Sequence, residues 1–334
     1  MTSVSDSTQS RTLEFEVSLP SADPVQALEV GVQADALGFD AVSLPDHIFQ
    51  PRRFEESLEG RADLFTTLGA LAQATSRVKL GQAMVCAPFR HPVQLARAIT
   101  SLDRLSGGRA RLGIGAGWYQ AEFEAMGIPF PKPPERRALL VETLEILQAY
   151  WTQERVNYKG KFFQVHDCLA EPRLLQTSPP DITVGGSAPA LLEIAGRYAD
   201  AVNVLPPWLT PKRIDLVRGL STTAQDLRSK VQTVREAAQK AGRDPESVGI
   251  AVNLQVLVDR DQKNLDAALG AVAKSLGVEA SLVCNSPMTL VGTPAACVEK
   301  LSRLQEEIGF QRVVCSFFVP QQMGLFAEEV LSGF

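Results

Sequence analysis

The chain has 334 residues, 45% of them hydrophobic and 21% charged, enough for one large barrel or for two ordinary domains with separate cores. Its net charge of −5 and its lack of any clustered Lys/Arg tract exclude a general nucleic-acid or anionic-membrane binder, whose affinity comes from such clusters. No apolar run approaches the roughly 20 residues that span a bilayer.

Residues 1–12 (MTSVSDSTQSRT) read as a polar, disordered tail with no apolar h-region, so a cytoplasmic location is expected. Cys86, Cys168, Cys284, Cys297 and Cys315 form no CxxC pair and read as reduced thiols. No Pro/Gly/Ser-rich linker divides residues 13–334, which read as a single domain. Apolar β-rich runs alternate there with amphipathic stretches, the pattern of parallel βα units.

Leu13–Leu19 is predicted as the first strand, and Pro24–Leu37 as the first helix, with an apolar stripe through Val25, Leu28 and Val32 and a Gly38 cap. Phe39–Leu44 is the second strand. A helix at Leu64–Ala74, a strand at Val78–Val85, a helix at Val93–Leu105, a strand at Ala110–Ile114 and a helix at Arg136–Trp151 follow. The irregular stretch Arg155–Ser178 is expected to hold a hairpin around Tyr158–Phe163 and to suit a lid. Strands at Ile182–Val184, Ala201–Val204, Gly249–Val258 and Val313–Phe318 complete the set. They are separated by helical stretches at Ala188–Arg197, Pro211–Ala241, Lys263–Leu276 and Thr293–Glu307. Eight such units predict a (β/α)8 TIM barrel, whose site is built from the C-terminal ends of the strands.

The residues at those ends are therefore the candidates. Asp46 and His47 follow the second strand, where an acid beside an imidazole either binds a polar heterocycle and moves a proton, or caps a turn. His91 precedes Pro92 and reads as the residue before a helix, while His166 lies in the insertion. Histidines so scattered make no metal site. Gly113, Gly115 and Gly117 either let a flat ring or a phosphate tail approach the backbone or serve barrel packing. Gly185-Gly186-Ser187 between a strand and a helix with an early proline reads as a phosphate turn, with an N-cap turn as the alternative.

These segments resemble the luciferase-like flavin and deazaflavin oxidoreductases from about Phe15 to Phe318. The resemblance rests on Gly38-Phe39-Asp40-Ala41-Val42 before Pro45-Asp46-His47, on Phe89-Arg90-His91-Pro92, and on Leu102–Arg109 continuing into Leu112–Trp118. Val184–Ser187 and Leu290–Pro294 extend it, and the Pro-Asp-His pattern is similar to the coenzyme F420-dependent branch. It implies a bacterial luciferase-like barrel with His47 and Asp46 at the ring and substrate. The bulge from Ala83 through Met84 to Cys86, often with a non-prolyl cis peptide, would support the ring. Gly115, Gly117 and Trp118 would line it, and Gly185, Gly186 and Ser187 would hold the phosphate. Trp118 stands where the family's sugar-phosphate dehydrogenases carry a glutamate, which speaks against a sugar-phosphate substrate. Ala83 stands where a serine is common.

Three functions follow. The first is hydride transfer from reduced coenzyme F420 to a small organic substrate, with His47 giving the proton. The second is an FMNH2-dependent two-component monooxygenase, and a remote third is a non-catalytic flavin-binding protein. F420 differs from FMN in its lactyl-glutamyl tail, for which Arg52, Arg53 and Lys132 are candidate cations. Phe49, Phe54, Trp118, Tyr119, Phe123, Phe163 and Trp208 are candidates for an apolar pocket. A homodimer and a partner reductase are family expectations.

Overall fold

The computed structural model describes residues 13–49 and 59–334. The expected tail at 1–12 and the candidates Arg52, Arg53 and Phe54 lie outside the described residues. The main sheet is a parallel ring in the order β3 (Lys79–Gln82), β2 (Ala41–Leu44), β1 (Glu14–Ser18), β12 (Arg312–Phe317), β10 (Gly249–Val258), β9 (Ala201–Val204), β8 (Ile182–Gly186), β5 (Leu112–Gly115) and β4 (Val85–Cys86). β3 and β4 are halves of one interrupted stave, which leaves the eight positions expected of the barrel. The ring closes through a bridge between Leu80 and Ala110, with Leu80 N–H donating to Arg109 O and Arg111 N–H to Leu80 O, both 2.9 Å.

Where the third stave breaks, side chains replace ladder bonds. Gln82 Oε1 accepts from Gly113 N–H at 3.1 Å. A Cβ added to Gly113 would stand 1.8 Å from Gln82 O and 2.8 Å from Met84 Sδ, so this position admits only glycine. Gly113→Ala is expected to cost about 3 kcal/mol, the upper end for overpacking. Chemical denaturation measures it, and a variant as stable as the parent would refute the account.

β11 (Thr289–Gly292) pairs with Gln255–Val258 of β10, beyond the Gly249–Ala251 segment that pairs with β9. The sequence reading has no strand there, because four residues carry too little periodicity. The expected helix Pro211–Ala241 is two, α7 (Leu216–Leu220) and α8 (Ala224–Lys240). A capping box separates them: Thr223 Oγ1 accepts from Asp226 N–H and Asp226 Oδ2 from Thr223 N–H.

Helix α1 (Pro24–Leu37) starts on Asp23, which accepts from Val25 N–H, and ends on Gly38 at φ 86°. It buries Ala27, Gly31 and Ala34 and leaves Val25 60% exposed, contrary to the expected Val25–Leu28–Val32 stripe. A Cβ at Gly31 would lie 2.3 Å from Leu71 Cδ2 of α2 (Leu64–Ala74), so close helix contact selects small residues for the inner face. Helix α3 (Pro92–Ser106) is capped by His91, whose Nδ1 accepts from Val93 N–H. His91 is thus the residue before a helix, as read.

The insertion contains a hairpin, β6 (Arg155–Lys159) and β7 (Gln164–Leu169), packed against α5 (Pro133–Thr152). Buried Glu142 of α5 accepts the N–H groups of Lys161, Phe162 and Phe163, and Tyr158 donates to Glu145. These bonds hold the hairpin tip to the outside of α5, and none of its residues lines the cavity at the barrel mouth. The insertion expected there is present as this hairpin.

At the N-terminal end of the barrel Arg312 grips Asp181 and lies 3.3 Å from Glu14, which also pairs with Arg111. Burial opposes the charge on Glu14 and Asp181, but the guanidinium contacts outweigh it and hold both carboxyls below the usual range. Glu16, one layer up, behaves oppositely: burial dominates and raises its pKa. Its ionisation costs the folded state more than the unfolded one, a penalty absent at pH below the ordinary carboxyl pKa and growing as pH rises through the raised one. Glu16→Gln is therefore expected to melt higher than the parent at pH 8, with the advantage fading toward pH 4. Equal melting temperatures at pH 8 would rule this out.

Candidate active site

The strand ends enclose a cavity of about 410 Å³ at the C-terminal mouth of the barrel, within the usual range for small-molecule sites. Asp46, His47, Ala83, Met84, Cys86, Gly115, Gly117, Trp118, Gly185, Gly186 and Ser187 all line it. Gly113 does not; its space is taken by Gln82 and Met84, so it serves packing rather than a ligand.

Asp46 and His47 are neighbours in sequence with separate partners. Asp46, only 8% exposed, accepts from Cys86 N–H at 3.0 Å and forms a two-pronged pair with Arg90. Arg90 in turn lies over the Phe65 ring at 5.1 Å. With its lone pairs so engaged, Asp46 ties the end of β2 to β4 across the broken stave. Asp46 lines the cavity together with His47, and its hydrogen bonds go to Cys86 and Arg90.

The partner of His47 is Glu122, on α4 (Gln120–Ala125). His47 Nδ1 lies 2.8 Å from Glu122 Oε2. Glu122 is 1% exposed, and its Oε1 accepts from Ile48 N–H at 2.7 Å and Phe49 N–H at 3.4 Å. A carboxylate oxygen accepts, so Nδ1 carries a hydrogen toward Glu122 and Nε2 is the ring nitrogen left for the cavity. Nε2 has no partner among the described residues. Trp118 stands edge-on to the imidazole, centroids 5.8 Å apart, and fixes its remaining freedom. The Gly-x-Gly-x-Gly run draws attention to position 118; the acid lies one helical turn later, in a segment with no pattern to mark it.

The wall beside His47 is the bulge between β3 and β4, where the Ala83–Met84 peptide is cis, as the resemblance implies. The Met84 side chain fills the room left by Gly113 and Gly185. Cys86 is buried, and burial, then the nearby acids Asp46 and Glu122, push its thiol well above its ordinary pKa. It lines the cavity beside the bulge, where the resemblance places it among the residues that support the ring.

Opposite, β8 runs through Gly185-Gly186 into α6 (Pro189–Tyr198). The N-cap of α6 is Ala188, which offers no side-chain cap, so Ser187 is not the N-cap; Pro189 has no N–H and Leu191 N–H donates to Ala188 O at 2.9 Å, so Ala190 N–H is the first-turn donor left for another acceptor. Asn253, Gln255 and Ser316 form a polar side of the cavity, with Asn203 Nδ2 donating to Asn253 at 2.7 Å and Asn203 Oδ1 buried without a partner. Trp118, Tyr119, Phe123 and Trp208 line the cavity as expected of an apolar pocket. Phe49 stacks edge-on to Tyr119 behind it, and Phe163 packs on His91 away from it. Lys132 is exposed at the start of α5 and does not line the cavity, whereas Arg136 and Arg137 of that helix do. No group of metal-ligating side chains occurs among the described residues.

A parallel barrel with a buried acid–imidazole couple, an apolar slot and an uncapped helix start at its C-terminal mouth defines a barrel oxidoreductase that holds a flat, phosphorylated ring. The chain belongs to the luciferase-like monooxygenase family, whose model matches residues 5–287. It is 27% identical over 307 residues to the F420-dependent glucose-6-phosphate dehydrogenase of Amycolatopsis mediterranei (strain U-32), covering 91% of this chain and 84% of that one. It is also 27% identical over 284 residues to the FMNH(2)-dependent dimethylsulfone monooxygenase of Pseudomonas putida, covering 78% and 76%. The same fold occurs in the coenzyme F420 dependent tetrahydromethanopterin reductase of Methanopyrus kandleri, TM-score 0.75 at 23% identity, over 96% of this chain and 99% of that one. No described helix is long and apolar enough to cross a membrane.

Proposed function

We propose that the chain is a coenzyme F420-dependent oxidoreductase that reduces a small, largely apolar substrate at a polarised double bond, such as an enone or imine. The observation that carries it is the His47–Glu122 couple, which leaves Nε2 at the edge of the cavity and free to hold a proton next to the substrate. The cavity fits the coenzyme: the Met84 bulge offers a shelf for the ring, and the uncapped start of α6 with Gly185, Gly186 and Ser187 suits its phosphate. When bound, reduced F420 supplies the hydride. The protein orients the acceptor between Trp118 and Phe123, keeps water from it, and delivers the proton from His47 Nε2. Asp46 keeps the β4 end in place through Cys86 and Arg90.

Trp118 stands where the resemblance gives the sugar-phosphate dehydrogenases a glutamate, and this departure supports a substrate other than a sugar phosphate. The likeness to the dimethylsulfone monooxygenase supports a second reading, in which FMNH2 binds and oxygen is the co-substrate. A cytoplasmic homodimer served by a separate reductase goes with either reading. A paired fluorescence titration with oxidised F420 and with FMN decides between them. Tighter binding of F420 is expected; preference for FMN would move the assignment to the monooxygenase, and binding of neither would refute the site.

A further inference from the structure

Beside the phosphate turn lies a second concavity, of about 490 Å³, between the turn after β8 and helices α7 and α8. Ser187 lines both it and the main cavity, so the two meet at that residue. Leu205 and Trp208 face the main cavity while Pro207 lines the groove, making this short segment the partition between them. Arg218, Thr222 and Lys230 line the groove's far side.

The chemistry of this lining points one way. Arg218 is exposed and its guanidinium has no ion-pair partner among the described residues. Lys230 is half enclosed, donates to Leu205 O, and is pushed below its ordinary pKa by burial and by the nearby Arg218, against the pull of Asp226. Asp226 is the acid on this surface; its Oδ2 accepts from the Thr223 N–H and hydroxyl, and its charge acts on Lys230. Thr222 is 6% exposed, and its Oγ1 is buried with no partner. Two cations against a single carboxylate, neither in an ion pair among the described residues, beside an orphan hydroxyl favour an anionic, multiply accepting ligand.

We propose that this groove holds the acidic lactyl-oligoglutamyl tail of the deazaflavin coenzyme. The inference rests on the coenzyme reading above. A phosphate held at Ser187 places the atoms that follow it at the junction of the two spaces, and each added glutamate brings a carboxylate toward Arg218 and Lys230. FMN ends at its phosphate and has nothing to put there.

The full-length protein is titrated with F420 bearing a long glutamate tail, with the phospholactyl form bearing none, and with FMN, at low and high salt. At low salt the long-tailed form is expected to bind about tenfold more tightly than the tailless form, and the gap is expected to narrow at high salt as the ion pairs are screened. Arg218→Gln combined with Thr222→Val should shrink the gap to about twofold or less, leaving tailless F420 and FMN unchanged. Lys230→Gln alone serves if that double variant fails to fold, and should shrink the gap in the same direction. Tight, equal binding of both F420 forms to the parent protein would overturn the groove assignment and leave the coenzyme reading standing. Binding of FMN with neither deazaflavin would overturn the coenzyme reading, and the groove assignment with it.

Discussion

His47→Ala is expected to lower kcat by about 10²- to 10⁴-fold, the usual worth of a positioned proton donor, while F420 affinity stays within about threefold. The imidazole presents one free nitrogen, Nε2, to the cavity, and its other nitrogen is held by Glu122 at 2.8 Å. Removing the ring leaves the Met84 bulge, the Gly185-Gly186-Ser187 turn and the strand ends in place, so cofactor binding is spared. Single-turnover reduction, with hydride transfer followed by loss of reduced-cofactor absorbance, separates the two effects. A kcat within about threefold of the parent would remove His47 from the reaction.

Glu122→Gln is expected to be nearly as damaging, by about 10²- to 10⁴-fold in kcat, although Glu122 itself is buried behind His47. The effect belongs to the Nδ1 hydrogen. In the variant the amide oxygen keeps the N–H bond from Ile48, which leaves the amide NH₂ facing His47. The imidazole must then accept at Nδ1, so it can no longer carry a hydrogen on both nitrogens, the form that gives a proton from Nε2 while Nδ1–H is held by Glu122; loss of the carboxylate that orients a catalytic imidazole costs this order of magnitude in other enzymes. The readout is a displaced pH profile for kcat with unchanged melting temperature and F420 affinity. An unchanged profile would show that Glu122 only fastens the loop after β2, and Glu122→Asp, which keeps the charge at a shorter reach, should recover part of the activity if positioning is its role.

The barrel is legible in the sequence because each stave and its helix differ in period, and His47 because it directly follows a predicted strand. Contacts between distant segments are not. Asp46 finds Arg90 44 positions away and Glu122 finds His47 75 positions away, spacings that no local pattern encodes. The α1 stripe fails for a related reason: Val25 and Val32 have the right period, but Gly31 meets Leu71 of the next helix, so closeness outranks hydrophobicity. The polar side of the cavity leaves a usable signal. Asn253 and Gln255 alternate within the apolar run Gly249–Val258, and a period-2 reading of that strand places them together on the inner face.

The Met84 shelf has a wider consequence. Its height is set by side chains that are missing from two other staves: at Gly185 an added Cβ would meet Met84 at 2.8 Å, at Gly113 likewise at 2.8 Å, and at Gly115 at 3.8 Å. Whatever rests on that thioether is therefore levelled by what its neighbours lack. A methyl group added at Gly115, the one of the three with room, would rest against Met84 at ordinary contact distance, whereas one at Gly113 or Gly185 would displace the side chain. In this barrel the position of the Met84 side chain is a dimension that inheritance can adjust through the flanking strands, while the His47–Glu122 contact stays where it is.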